Sequence, residues 1–323
     1  MIVGALAIAL NFLSIALLGM LLAGLVLAGG YFLIRERIAS FQPTIRRKLL
    51  WSIALAPWLI GLISSSIALL SGTSFSIFPE SFPLLHWHHV DEFELFSWHG
   101  FLLAASILVL LSGSGRYVFR TYHQSKKLQL LRHLSLSESE SFYYLDSNNV
   151  AAFTAGYFNP RCFISLGLLN QLSEQERSII IQHELAHADR KDPFKKFLFQ
   201  FLIANFPKAI RTELASNMSL VIEQCADDLV LSKINNRSLI ASTLLKVNRL
   251  IQENKFCNLN NNGALCHYGL EQVELRILNL LNQTQVKSVY PYLTVLGVVT
   301  LSALLFGVSA DLFHHLIEFT LSH

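Results

Sequence analysis

The stretch HELAHADRKDP at positions 183–193 contains two histidines four residues apart, with a glutamate directly after the first. In a helix, His183 and His187 lie one turn apart on the same face, where both imidazoles can bind one Zn²⁺. Glu184 is then placed to act as general base on a water bound to that metal. The alternative is coincidence, because H-E-x-x-H arises by chance in on the order of one chain in a hundred of this length.

A catalytic zinc site needs a third protein ligand, and the downstream segment SLVIEQCADDLVLSKI offers two carboxylates at helical spacing. Glu223 would complete a site of two histidines and one glutamate for one Zn²⁺ per chain, with the fourth position open. Asp227 is placed to accept the other ring N–H of a ligand histidine. Alone, this pair is more typical of a helix with a solvated acidic face, but the preceding H-E-x-x-H reverses that preference.

Helices must position these groups. Ser173 and Glu176 form an S-x-x-E capping box, which predicts a helix that begins at about residue 174. Pro193 cannot continue that helix, so it should end near residue 190. The segment 194–207 is more apolar than a surface loop, and it either packs on the catalytic core or dips into the membrane.

Short strands are predicted before this helix, over 141–147 and twice within 151–169, where Asn159-Pro160 marks a turn. After the ligand helices, the Asn-rich segment 257–269 is typical of a loop, and 270–283 has the pattern of an amphipathic helix.

The composition is that of a membrane protein. The chain has 323 residues, of which 52% are hydrophobic and 15% charged, whereas soluble domains carry about 25% charged residues. Four segments are long enough to span a bilayer: about 5–34, 49–71, 97–115 and 289–310. The predicted fold class is a mainly α polytopic protein with four transmembrane helices and an α+β domain between the third and the fourth. The domains are predicted as 1–115, 116–288 and 289–323.

The positive charges indicate the topology. All 25 Lys and Arg residues lie in 35–48 or in 116–287, so the positive-inside rule places both regions in the cytoplasm and the two termini outside. The four cysteines then lie in a reducing compartment, where disulfides are not expected. The net charge of +3 is explained by this topology, and we expect no direct nucleic-acid partner.

The motifs resemble those of the BlaR/MecR family of integral-membrane zinc metallopeptidases, with a more distant similarity to the HtpX and CAAX-prenyl-protease group. The matching segments, in the family's order, are AAFTAGYFNPRCFISLGLLNQLSEQE, HELAHADRKDP, EQCADDLVL and LRILNLL. The resemblance implies a gluzincin fold, in which a small sheet with a substrate-binding edge strand packs on the two ligand helices. It also implies an endopeptidase of the bacterial cytoplasmic membrane, whose substrate is a winged-helix transcriptional repressor.

The chain departs from the β-lactam-sensing members, because only about a dozen residues follow the fourth predicted span, where those members carry an extracellular penicillin-binding domain. Two alternatives to repressor cleavage remain. One is a protease for membrane-protein quality control, similar to HtpX, and the other is a transmembrane signalling protein in which zinc is only structural.

Other histidines are weaker candidates. His86, His88, His89 and His99 lie in the predicted external loop, either as a metal or pH sensor or as polar residues of an interfacial segment. His267 follows the ligand helices, where related metallopeptidases place a group that stabilises the oxyanion. Its spacing to Arg276 departs from their pattern, and an ordinary loop histidine is the alternative.

Overall fold

The computed structural model describes residues 1–71, 91–123, 137–138, 142–258 and 263–281. Within these ranges the chain is mostly helical, with two small sheets. The fourth predicted span, 289–310, and the histidines at 86, 88 and 89 lie outside the described residues.

Three of the described helices are long and apolar enough to cross a membrane. The first two are α1 (Ala5–Ala39) and α2 (Pro43–Ser71). The third is the helical stretch His99–His123, whose first part is α3 (Trp98–Leu110), and the first three predicted spans fall on these helices. Helix α3 continues through a π-helical turn at Leu111–Gly115 and remains helical to residue 123. Strand β1 (Ile2–Val3) pairs with β2 (Glu92–Phe93) at the end of the predicted external loop. This pairing joins the N-terminus to the segment before α3.

The second sheet has four strands in the order β3-β4-β6-β5. They are β3 (Ser137–Glu138), β4 (Phe142–Leu145), β5 (Ala152–Ala155) and β6 (Arg161–Ser165). Strand β4 runs parallel to β6, whereas β5 and β6 form an antiparallel hairpin. The predicted strands of 141–169 are therefore present, and β5 lies at an edge of this sheet.

Six helices follow. They are α4 (Leu166–Leu169), α5 (Glu174–Asp189), α6 (Asp192–Leu202), α7 (Lys208–Ile234), α8 (Arg237–Asn258) and α9 (Gly263–Leu281). The loop predicted over 257–269 is wrong for most of its length, because α8 extends to Asn258 and α9 already begins at Gly263.

The largest apolar core joins the membrane helices to the domain that carries the motifs. Buried residues of α1, α2, α6 and α7 form one cluster, which includes Tyr31, Ile60, Phe199 and Met218. The segment 194–207 therefore packs into a core that it shares with α1 and α2. In addition, the indole N–H of Trp58 donates to the carbonyl of Leu202 at 3.2 Å.

Helix α3 docks on the same segment through its π-helical turn. The side-chain amide of Asn205 donates to the hydroxyl of Ser114 at 3.1 Å. A Cβ atom at Gly113 would collide with the Asn205 side chain, so only glycine lets the two segments approach this closely. Three membrane helices thus contact the domain beside the predicted metal site.

Candidate metal centre

Helix α5 places the H-E-x-x-H residues as predicted. The capping box is formed, since the backbone N–H of Ser173 donates to Glu176 at 2.8 Å and the Glu176 N–H donates to the Ser173 hydroxyl at 3.4 Å. The helix ends at Asp189, close to the predicted residue 190. Buried Ile179 and Ile180 face different apolar clusters, and the next turns bring His183 and His187 into the interior.

Helix α7 brings the third candidate ligand to the same point. Its Leu214, Met218, Val221 and Ile222 lie in the core shared with the membrane helices. Glu223 lies next to this apolar row, and its carboxylate faces the two histidines. Cys225, one residue off the acidic face, is buried in that same core.

The three candidate ligand atoms form a compact triangle. Nε2 of His183 lies 3.2 Å from Nε2 of His187 and 3.2 Å from Oε2 of Glu223, and the third side, from His187 Nε2 to Glu223 Oε2, is 3.4 Å. Ligand bonds of about 2.0–2.1 Å in a tetrahedral zinc site place neighbouring ligand atoms about 3.3–3.4 Å apart. The triangle thus has the size of one face of such a site, and its donor chemistry fits Zn²⁺.

Each histidine has a buried carboxylate at its second ring nitrogen. Nδ1 of His183 lies 3.1 Å from Oδ1 of Asp227, and Nδ1 of His187 lies 2.8 Å from Oδ2 of Asp192. Such partners fix which ring nitrogen carries the proton and leave the other free for a metal. Asp227 therefore lies where the sequence placed it, whereas Asp192, in the quoted motif itself, was given no role.

Two cations also approach the candidate ligands. Nζ of Lys196 donates to Oε1 of Glu223 at 3.1 Å, which leaves Oε2 facing the histidines. Arg276 of α9 donates to both carboxylate oxygens of Asp227, at 2.8 and 2.7 Å, and its NH1 lies 3.5 Å from Oε2 of Glu223. These two cations thus offset the negative charges of Glu223 and Asp227 inside the fold.

Burial and charge pairing shift the pKa values of these groups in opposite directions. Burial alone lowers the pKa of His183, but its contacts with Asp227 and Glu223 raise that pKa to about 9. Burial alone raises the pKa of Glu223, but its contacts with the two histidines and the charge of Lys196 hold that pKa well below its usual range. Because the carboxylate stays ionised, Glu223 is a ready metal ligand at neutral pH.

Glu184 points from α5 toward the edge strand rather than into the triangle. The hydroxyl of Thr154 in β5 lies 2.8 Å from Oε2 of Glu184 and 2.8 Å from its backbone carbonyl. The carboxylate is therefore held beside the candidate metal centre by a neutral donor. Sequence reasoning missed Thr154, because only strand pairing brings it to the motif helix.

A cleft of about 460 Å³ opens over the centre. His183, Glu184, His187 and Glu223 lie in its lining, together with Ala152, Phe153 and Thr154 of the edge strand. Tyr117 and Phe197 form an aromatic wall of the cleft. Another wall consists of aliphatic residues of α5 and α8, namely Ile180, Leu244, Val247 and Ile251. An extended chain laid along β5 would therefore pass Glu184 and the ligand triangle.

The other candidate histidines lie apart from this centre or outside the part of the chain that the structure describes. His99 is half-buried near the start of α3, on the opposite side of the predicted bilayer, while its three proposed partners lie outside the described residues. His267 is in α9, and its side chain is also outside the described part of the chain. Arg276, which the sequence pattern did not favour, is the α9 side chain that the structure places at the centre.

Comparison with known proteins agrees with this geometry. Residues 120–254 match the model of Peptidase family M48, so this part of the chain is similar to the M48 metallopeptidases. The match begins near the end of α3 and ends in α8, and it contains the H-E-x-x-H helix and Glu223. No curated protein matches the chain.

Proposed function

We propose that the chain is a zinc-dependent endopeptidase of a bacterial cytoplasmic membrane, with its catalytic domain in the cytoplasm. The observation that carries this proposal is the triangle of His183, His187 and Glu223 beneath a cleft, with the Glu184 carboxylate beside it. A structural zinc site is usually closed by four protein ligands. Here the described residues supply three, and an unligated carboxylate lies next to them.

Each residue of the centre has its own role in the proposed reaction. His183, His187 and Glu223 would hold Zn²⁺, which when bound polarises a carbonyl and lowers the pKa of water toward about 7. Glu184 accepts a proton from the attacking water and returns it to the leaving amine of the scissile peptide. Thr154 keeps the Glu184 carboxylate turned toward the cleft, and the edge strand β5 offers backbone groups that can pair with an extended substrate.

For the substrate, we propose a cytosolic or membrane-proximal protein, and specifically a winged-helix transcriptional repressor whose cleavage relays a signal across the membrane. This rests on the resemblance of the ordered motifs to the BlaR/MecR family. A membrane protein cut for quality control is the second candidate. It is favoured by one observation, namely that Tyr117 of the membrane helix α3 lines the cleft.

The variant Glu184→Gln tests the enzyme against a scaffold with structural zinc. Glutamine keeps the size of the side chain and can still accept from Thr154, but it cannot take a proton. We expect the variant to insert and to retain zinc, while peptide cleavage falls by roughly 10²–10⁴-fold. If Glu184→Gln signals as well as the parent in cells while His183→Ala does not, zinc is structural and the protease proposal is wrong.

The same variant separates the two substrate classes. Proteins that accumulate intact with Glu184→Gln, but not with the parent, can be compared in the cytosolic and membrane fractions by quantitative mass spectrometry. An intact winged-helix protein with repression maintained supports the repressor. Accumulation confined to unrelated membrane proteins supports quality control and overturns repressor cleavage.

A further inference from the structure

The tip of the β5–β6 hairpin, residues 156–160, carries an aromatic side chain that the proposed catalysis does not use. Phe158 is 84% exposed, although its ring lies 5.8 Å from that of Phe194 in α6. A large aromatic residue at the tip of a polar turn, Asn159-Pro160, is unusual on a surface that faces water. The neighbours of the tip indicate what it faces.

The hairpin tip contacts the membrane helix α3. Tyr157 at the tip and Tyr117 of α3 both contact the ring of Phe197. The Tyr157 ring is tilted at a centroid distance of 5.3 Å, and the Tyr117 ring is stacked at 5.6 Å. Burial raises the pKa of the Tyr157 side chain, whereas Thr121, one turn further along α3, lies near enough to Tyr157 to lower it. These contacts fix the height of the tip relative to α3.

The sequence of α3 gives that height with respect to a bilayer. Residues 98–115 contain no Lys, Arg, Asp or Glu, and Arg116 is the first charged residue of the helix. Eighteen residues at 1.5 Å each extend about 27 Å, close to the thickness of about 30 Å of the hydrocarbon core. Tyr117 and Thr121 then lie at the headgroup level, and the hairpin tip beside them lies there too.

Other side chains at this level suit the same environment. Phe119 and Tyr122, further along the same helix, are 64% and 55% exposed, and Arg116 and Arg120 on this stretch are exposed as well. Aromatic rings prefer the boundary between headgroups and acyl chains, where basic residues reach the phosphates. The exposed ring of Phe158 thus belongs to an aromatic and basic rim around the end of α3.

We infer that the hairpin tip is a membrane-interface anchor, with Phe158 inserted among the lipid headgroups. The occupant of this exposed surface is the lipid bilayer. Because β5 of the same hairpin lines the cleft, the anchor holds the substrate-binding edge at the membrane surface. The inference does not require proteolysis, since it concerns where the hairpin sits.

Site-directed fluorescence tests this position in the full-length protein, reconstituted in vesicles of phosphatidylethanolamine and phosphatidylglycerol. An NBD probe is attached at Phe158→Cys in a Cys257→Ser, Cys266→Ser background, since Cys162 and Cys225 are buried. The matched control is Asn149→Cys, an exposed residue at the other end of strand β5. The two sites are at least roughly 13 Å apart along the strand. Retained zinc in each labelled protein shows that the fold is intact.

Nitroxide lipids labelled near the headgroup should quench the probe at 158 roughly threefold or more above the probe at 149, and aqueous iodide should show the reverse order. Equal access of iodide to both probes would overturn the inference. So would quenching by neither agent at 158, which would indicate a protein partner, and so would equal lipid quenching at both sites, which would indicate immersion of the whole domain.

Discussion

His183 and His187 lie one turn apart on one helix, yet the structure supports them in different ways. The partner of His183 is Asp227, forty-four positions away, which is itself clamped by Arg276 from a third helix. The partner of His187 is Asp192, five positions further along the chain at the start of the next helix. One histidine thus depends on tertiary packing and the other on local chain geometry.

This difference predicts which substitutions affect folding and which affect only metal binding. The side chain of Asp227 is 1% exposed and that of Arg276 is 13% exposed, so their pair has little contact with water. Asp192 is equally buried, but its cations are less closely held: Arg190 and Lys195 lie 3.5 and 3.7 Å from its Oδ1, against 2.7 Å between Arg276 and Asp227. A change on the His183 side should therefore affect folding as well as the metal, whereas a change on the His187 side should affect mainly the metal.

Removal of a candidate ligand should have the largest effect on zinc binding. The loss of zinc should be the same whether His183 or His187 is replaced. We expect about one Zn²⁺ per purified chain, and loss of tightly bound zinc in His183→Ala, His187→Ala and Glu223→Ala, because three protein ligands hold a catalytic zinc. Metal analysis after gel filtration measures this. Full zinc retention in Glu223→Ala would exclude Glu223 as third ligand.

Asp227→Asn should be the next most damaging change. The variant removes the carboxylate that hydrogen-bonds twice with the buried Arg276 and leaves only Glu223 at 3.5 Å, and breaking such a buried pair costs about 3–5 kcal/mol. We expect a lower free energy of unfolding for the domain that carries the site and a zinc affinity reduced about 10–100-fold. Thermal unfolding and chelator competition measure the two effects, and an unchanged stability would contradict the tertiary role of this carboxylate.

Asp192→Asn should lower the zinc affinity while it changes the free energy of unfolding only a little. Arg190 and Lys195 lie 3.5 and 3.7 Å from the Asp192 carboxylate, so they lose less than Arg276 would, and the loss of unfolding free energy should stay at about 1 kcal/mol. Zinc affinity should still fall about 10–100-fold, because the proton on Nδ1 of His187 loses its ionised acceptor. If Asp192→Asn destabilises the fold as much as Asp227→Asn, the contrast between the two sides does not exist.

Lys196→Met should have the smallest effect, a loss of zinc affinity of several-fold, since an amine that is partly exposed contributes about 0–1 kcal/mol. By holding Oε1 of Glu223, Lys196 favours ligation through Oε2 alone, so the absorption spectrum of the Co²⁺-substituted variant should also change. Lys196→Arg should restore both properties.

Lys246→Met is the matched control for Lys196. It removes a Lys–Glu contact of similar exposure, with Glu176 of the capping box, at 2.8 Å. The Co²⁺ spectrum should be unaffected by this change. Equal spectral changes in Lys196→Met and Lys246→Met would show that the first acts only through general stability.

The local half of this site could be predicted from the sequence. The capping box and Pro193 located helix α5, and helical spacing alone placed His183 and His187 on one face. Asp192 was within reach of the same reasoning, because it follows the motif directly, but Pro193 was read only as the end of a helix. The roles assigned to these residues stay predictions that the variants above test.

The other half depends on contacts that spacing does not encode. Thr154 meets Glu184 only because β5 pairs at the edge of the sheet beside α5. Arg276 reaches Asp227 from a helix that, in the sequence, begins inside an apparent loop. The shared core of α1, α2, α6 and α7 could not be predicted either, since an apolar segment of fourteen residues suits a membrane surface as well as a protein interior.

The π-helical turn at Leu111–Gly115 determines how α3 can tolerate insertions and deletions. A π turn holds one residue more than the α-helical turn that it replaces. Deleting a residue inside this turn would let the helix close into ordinary α geometry, with the residues on either side kept in phase. A deletion elsewhere in α3 would rotate everything that follows by about 100° and turn Tyr117 away from Phe197. The lipid-facing half of the helix and the half that lines the cleft are thus aligned by a single extra residue.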